Sequence, residues 1–81
     1  MKIQYFAWIK EITNHSEEEI NPNEIYNLDK LKSFIISKYP DLKKHLDKEV
    51  LRFAVNQEYV VKNIELKSND EIAVFPPVSG G

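Results

Sequence analysis

A chain of 81 residues, 42% of them hydrophobic, suffices for one small domain that buries about 60% of the surface of its unfolded form. It contains no cysteine, which excludes a disulfide framework, a thiolate metal site and a thiol nucleophile, and its interleaved charges, net −2, offer no basic face for nucleic acid. No apolar run approaches the roughly 18 residues of a membrane span and no signal-peptide pattern opens the chain, so a cytoplasmic location away from membranes is expected.

Residues 2–9 are rich in β-branched and aromatic side chains and predict a strand, with Ile3, Tyr5 and Ala7 on one face and Gln4, Phe6 and Trp8 on the other. Lys10, Glu11, Ile12 and Thr13 add one helical turn before Asn14. Residues 17–20 predict a short hairpin partner whose consecutive glutamates read as a solvated, charge-protected edge. After Asn21, Pro22 and Asn23, a helix is predicted over residues 28–39. Asn27 is its N-cap, Asp29 favours its positive end, and Leu28, Leu31, Phe34 and Ile35 form its apolar stripe. Pro40 ends it, because a residue preceding proline avoids the helical region. A short turn follows with Leu42 and Leu46 on one side. His45 and His15 read as isolated surface histidines, so no metal site is expected.

Residues 50–55 predict a strand with Leu51, Phe53 and Val55 inward and Arg52 and Ala54 outward. Asn56, Gln57 and Glu58 turn the chain into a short strand over 59–61. Residues 62–70 are polar and end in the turn residues Ser68, Asn69 and Asp70. The last strand, 71–75, places Ile72 and Val74 on one face and Ala73 and Phe75 on the other, and Pro76 ends it by removing a ladder donor. The implied class is α+β: a mixed sheet packed on one main helix, with a domain over 1–75 and an extended tail over 76–81.

One helix covers one face of such a sheet. If Ile3, Leu51, Phe53, Val55, Ile72 and Val74 face it, then Phe6 and Phe75 point to the open side with Ala54, Ala73 and Arg52. That is an apolar patch with a basic rim, the form of a partner site. A face assignment shifted by one residue would instead bury both rings.

The tail departs furthest from what folding requires. Average usage of about 7% glycine predicts about six in this length. The chain has two, Gly80 and Gly81, at its end, with turns left to Asn, Asp, Ser and Pro. Two residues without Cβ form the thinnest possible peptide, and an α-carboxyl with a pKa of about 3.3 to 3.7 is anionic at neutral pH. Pro76 and Pro77 favour a stiff, extended lead, which makes an arm with a slim, charged tip. A frayed chain end is the plain alternative.

The ending LKSNDEIAVFPPVSGG resembles the C-terminal signature of the sulfur carrier (small) subunits of molybdopterin synthase. MKIQYFAWIKEI is similar to that family's first strand and following turn, and AVNQEYV to its central hairpin. Lys10 stands where the family commonly has arginine, a point charge in place of a bidentate fork, and Asn69 where it commonly has glycine. The resemblance implies a ubiquitin-like β-grasp fold and a chain that is not an enzyme on its own. It implies no bound cofactor; ATP is used by an E1-like adenylyltransferase to activate the Gly81 carboxylate. A sulfur donor protein then supplies the sulfur of a thiocarboxylate. Through Pro76, Pro77, Val78, Ser79 and Gly80, the tail delivers Gly81 into the catalytic large subunit. There, two carriers in succession convert cyclic pyranopterin monophosphate into the dithiolene of molybdopterin, within a heterotetramer. Phe6, Lys10, Arg52, Ala54, Ala73 and Phe75 form the expected partner-binding face. A thiamine-pathway sulfur carrier and a ubiquitin-like modifier share the Gly-Gly end, and a plain interaction domain would carry it without use.

Overall fold

The computed structural model describes residues 1–48 and 50–77. Its strands are β1 (Lys2–Tyr5), β2 (Glu17–Glu19), β3 (Arg52–Val55), β4 (Glu58–Val60) and β5 (Glu71–Phe75), and its helices α1 (Trp8–Thr13), α2 (Leu28–Lys38) and α3 (Lys43–Asp47). Single 3-10 turns occupy Pro22–Glu24 and Pro40–Leu42. The strands form one sheet in the order β2-β1-β5-β3-β4. The central pair, β1 and β5, is parallel, and the other pairings are antiparallel. The first and last strands of the described chain therefore lie side by side in the middle of the sheet.

Helix α2 forms where its signals predict. The Asn27 side chain accepts the backbone N–H of Lys30 at 2.8 Å, Asp29 occupies the first turn, and Tyr39 closes the helix ahead of Pro40. Its inner face, Leu28, Leu31 and Ile35, is buried against Ile3, Tyr5, Phe53, Val55, Ile72 and Val74 from the sheet. Leu51 joins that core, so the predicted choice of faces holds. The linker after β4 is less polar in role than in composition. Leu28 N–H donates to the Ile64 carbonyl and Leu66 N–H to that of Tyr26, both at 2.9 Å, which buries Leu66 beside the start of α2.

The first strand ends sooner than its composition suggests. Ala7 adopts φ 56°, ψ −135°, and helix α1 begins at Trp8, inside the predicted strand. The reason lies in packing: α1 turns Ile9 and Thr13 into the interior, where Ile9 is fully buried, whereas a continued strand would carry the chain beyond the sheet. Trp8 thereby leaves the open face and sets its ring 4.6 Å from that of His45. His45 is half-buried rather than a surface residue, while His15 is exposed. The hairpin between β3 and β4 turns on two residues, Asn56 and Gln57, both at positive φ, so Glu58 joins the ladder opposite Val55. Among the described residues, no helix is long and apolar enough to cross a membrane.

Candidate functional site

The sheet face away from α2 carries the expected patch. Across its centre the register aligns Gln4, Ala73, Ala54 and Tyr59, and one step further Arg52 lies opposite Phe75. Phe6 extends β1 beside them, its N–H donating to the Val74 carbonyl at 3.1 Å. Phe6 is 46% exposed, and Phe75, Ala73 and Arg52 are half-buried. Lys10 is exposed on α1, just beyond the same end of the sheet. Phe6, Arg52 and Phe75 therefore lie toward the end of this face where β5 stops, with Ala54 and Ala73 nearer its centre and Lys10 on α1 beyond the strand end.

Ala54 departs from the expectation of an open position, since it retains only 9% exposure although it points away from the core. The cause is a residue that sequence reasoning passed over. Tyr59 of β4 and Phe75 of β5 flank β3, and strands two apart lie about 9.6 Å from each other. Their ring centroids nevertheless approach to 6.3 Å, at an interplanar angle of 51°. The rings lean together over β3, which the methyl group of Ala54 permits and a longer side chain would block. Tyr59, itself 57% exposed, belongs to the patch. The available signal was its place two residues past the hairpin turn, opposite Ala54.

At the root of the tail Pro76 is half-buried and Pro77 exposed. Val78, Ser79, Gly80 and Gly81, the expected reactive end, lie outside the described residues. Trp8 and His45 meet with their rings tilted at 52°, and the His45 carbonyl accepts the N–H of Val50 at 3.0 Å, two residues before Arg52. Among the described residues, no group of three or more His, Cys, Asp or Glu is placed to hold a metal ion.

A separate polar cluster sits at the opposite edge, between β2 and α2. Glu18 points inward from β2 and its side chain is 10% exposed. Tyr5 Oη donates to Glu18 Oε1 at 2.6 Å, Tyr39 Oη to Oε2 at 3.1 Å, and Lys38 Nζ to Oε2 at 2.8 Å. Burial alone would raise the Glu18 pKa. The hydrogen bonds from Lys38, Tyr5 and Tyr39 outweigh that penalty and hold the carboxyl below its ordinary range. Burial, and then the bond to Glu18, pushes the Tyr5 phenol well above its usual value. One of the three glutamates that read as solvated is thus an internal acceptor, and only Glu17 and Glu19 face water.

The description "ThiS family" matches residues 3–81. The chain is 42% identical to the "Molybdopterin synthase sulfur carrier subunit" of Dictyostelium discoideum, covering 99% of this chain and 94% of that one. It is 40% identical to the protein of the same name from Homo sapiens, over 100% and 93% of the two. Among solved structures, the fold superposes with a TM-score of 0.83 on a Pyrococcus furiosus protein described as molybdopterin converting factor, subunit 1. That likeness carries 31% identity and covers 95% of each chain. The architecture is the ubiquitin-like β-grasp that the resemblance implied.

Proposed function

The chain belongs to the ThiS family, and from that premise we propose that it is the sulfur carrier of a molybdopterin synthase, with the Gly81 carboxyl as the group that carries the sulfur. The observation that carries this reading is the extent of the family match, which runs through residue 81 and so includes the Gly-Gly end. Relatives of nearly the same length bear the sulfur carrier name.

In this mechanism a carboxylate, a poor electrophile, attacks the α-phosphorus of ATP on an E1-like activating enzyme and releases pyrophosphate. Sulfur at the sulfide level, delivered by a donor protein, displaces AMP and leaves a thiocarboxylate. That group is nucleophilic in its ionised form, as thiolates are. The absence of cysteine means that no internal thiol competes for the acyl adenylate. The carrier supplies position: the open face of Phe6, Tyr59 and Phe75 docks on the large subunit, and the tail reaches from the end of β5 into its active site. Tethering of that kind is worth several orders of magnitude in effective concentration. Within the large subunit, cyclic pyranopterin monophosphate receives sulfur from successive carriers to become the dithiolene.

Intact-mass spectrometry after incubation with ATP, activating enzyme and a sulfur source tests the reading. A mass gain of one oxygen-to-sulfur exchange, mapping to Gly81, is expected. A gain mapping elsewhere, or isopeptide conjugates to many proteins in place of exchange, overturns it.

A further inference from the structure

The edge of the sheet farthest from the β3–β4 hairpin carries a feature that sulfur transfer from Gly81 does not use. Strand β2 is the terminal strand, and its outer side pairs with no other strand among the described residues. Which of its main-chain groups point outward follows from the ladder. Tyr5 N–H donates to the Ser16 carbonyl and Ile20 N–H to that of Met1, both at 2.9 Å, while Ile3 lies opposite Glu18. Bonded pairs alternate along an antiparallel ladder, so Ser16, Glu18 and Ile20 direct their main chain at β1. Glu17 and Glu19 direct theirs at the free edge.

Beside this edge lies a groove of about 630 Å³ between β2, the following loop and α2. Ile20, Ile25 and Phe34 supply its apolar lining, and Lys30 and Lys38 stand on the helical rim. The helical side has a regular origin: Lys30, Phe34 and Lys38 recur every fourth residue and so share one stripe of α2. Lys38 is already neutralised by Glu18, and Lys30 Nζ sits 5.8 Å from the centre of the Tyr26 ring.

We propose that this edge and groove accept an extended segment of a partner protein as an added strand, with basic residues alternating with branched apolar ones. The pattern follows from the two faces of β2. Residues of the added strand opposite Glu17 and Glu19 point to the same side as those carboxylates, about 4.5 to 5.5 Å away between Cβ atoms. Lys2 at 3.2 Å and the N-terminal amine at 3.7 Å meet the two carboxylates from the β1 side, and their exposed outer sides favour a second cation. The residue opposite Ile20 points to the helix side, where Ile20, Ile25 and Phe34 take an apolar side chain. The free N–H and C=O groups of Glu17 and Glu19 supply sequence-independent bonds, as in other strand additions. A second copy of this chain does not fit, because pairing β2 with itself brings glutamate against glutamate. This site is independent of the chemistry at Gly81.

The test is a titration of the ¹⁵N-labelled full chain with a short acetylated, amidated peptide alternating lysine and valine. A glutamate–valine peptide of equal length serves as the control. Saturable shifts of the Glu17, Glu19 and Ile20 amides and of Phe34 are expected with the first peptide only. The Glu17→Lys, Glu19→Lys double variant, altered only at exposed positions, should bind the lysine peptide severalfold more weakly and the glutamate peptide more tightly. Four results overturn the proposal: shifts centred on Phe6 and Phe75, equal binding of both peptides, no saturable shift, or concentration-dependent shifts at β2 without peptide.

Discussion

Glu18 shows how much one side chain depends on its surroundings. It accepts from two tyrosines and a lysine at the junction of β1, β2 and α2, so Glu18→Gln removes the charge from bonds that are individually worth about 1.5 to 3 kcal/mol. A loss of about 1 to 3 kcal/mol at neutral pH is expected in urea denaturation. Because its folded pKa is depressed, the stabilisation is fully present above the unfolded value of about 4.3 and is lost as pH falls through the lower folded value. Wild type and variant should therefore differ most at about pH 6.5 and draw together as pH falls below the unfolded value; a constant gap would show that the charge is not the cause. Ala7 poses the opposite case. At φ 56°, ψ −135° an alanine sits where such outliers cost about 1 to 3 kcal/mol, and the only glycines of the chain are Gly80 and Gly81. Set against the entropy that glycine loses on folding, about 0.5 to 1 kcal/mol, Ala7→Gly should raise stability by up to about 1 to 2 kcal/mol. A lower urea midpoint for this variant would mean that the Ala7 methyl makes packing contacts worth more than the strain.

At the scale of elements, the open face is built by strand order. Tyr59 and Phe75 meet over Ala54 because β4 and β5 both neighbour β3. Phe75→Ala removes one of these rings from a half-buried position outside the core. It should leave the unfolding midpoint nearly unchanged while weakening large-subunit binding by about 1 to 3 kcal/mol, the range of interface hot spots. Ala54→Leu should separate the rings and produce a similar loss with all three aromatics of the patch retained. Calorimetric titration against the large subunit reads both, and wild-type affinity in either variant would remove the face from the interface.

For the whole molecule, the parallel pairing of β1 with β5 places the root of the tail in the middle of the sheet rather than at an edge. Hydrogen exchange should accordingly be slowest in β1, β3 and β5 and faster in the edge strands β2 and β4. The domain and the tail should also be separable in stability. Deletion of Gly81 is expected to leave the thermal midpoint unchanged and to abolish formation of the thiocarboxylate. A truncated chain that still acquired sulfur would place the chemistry elsewhere.

The amino-acid sequence by itself determined the alternation of Ile3, Phe53, Val55, Ile72 and Val74, the Asn27 cap and Pro40 stop of α2, and the slim ending that marks the family. Each of these is local: side-chain period, a cap three residues from its donor, and the rigidity of proline act over a few neighbours. Tertiary structure decided the rest. It broke the first strand at Ala7 so that Ile9 could be buried, moved Trp8 onto His45, and drew Glu18 out of water to meet tyrosines from β1 and the end of α2. It also joined Tyr59 to Phe75 across a strand neither belongs to. Those outcomes depend on which elements become neighbours, and the energy of burying a side chain or satisfying a carboxylate is set by residues remote in the chain.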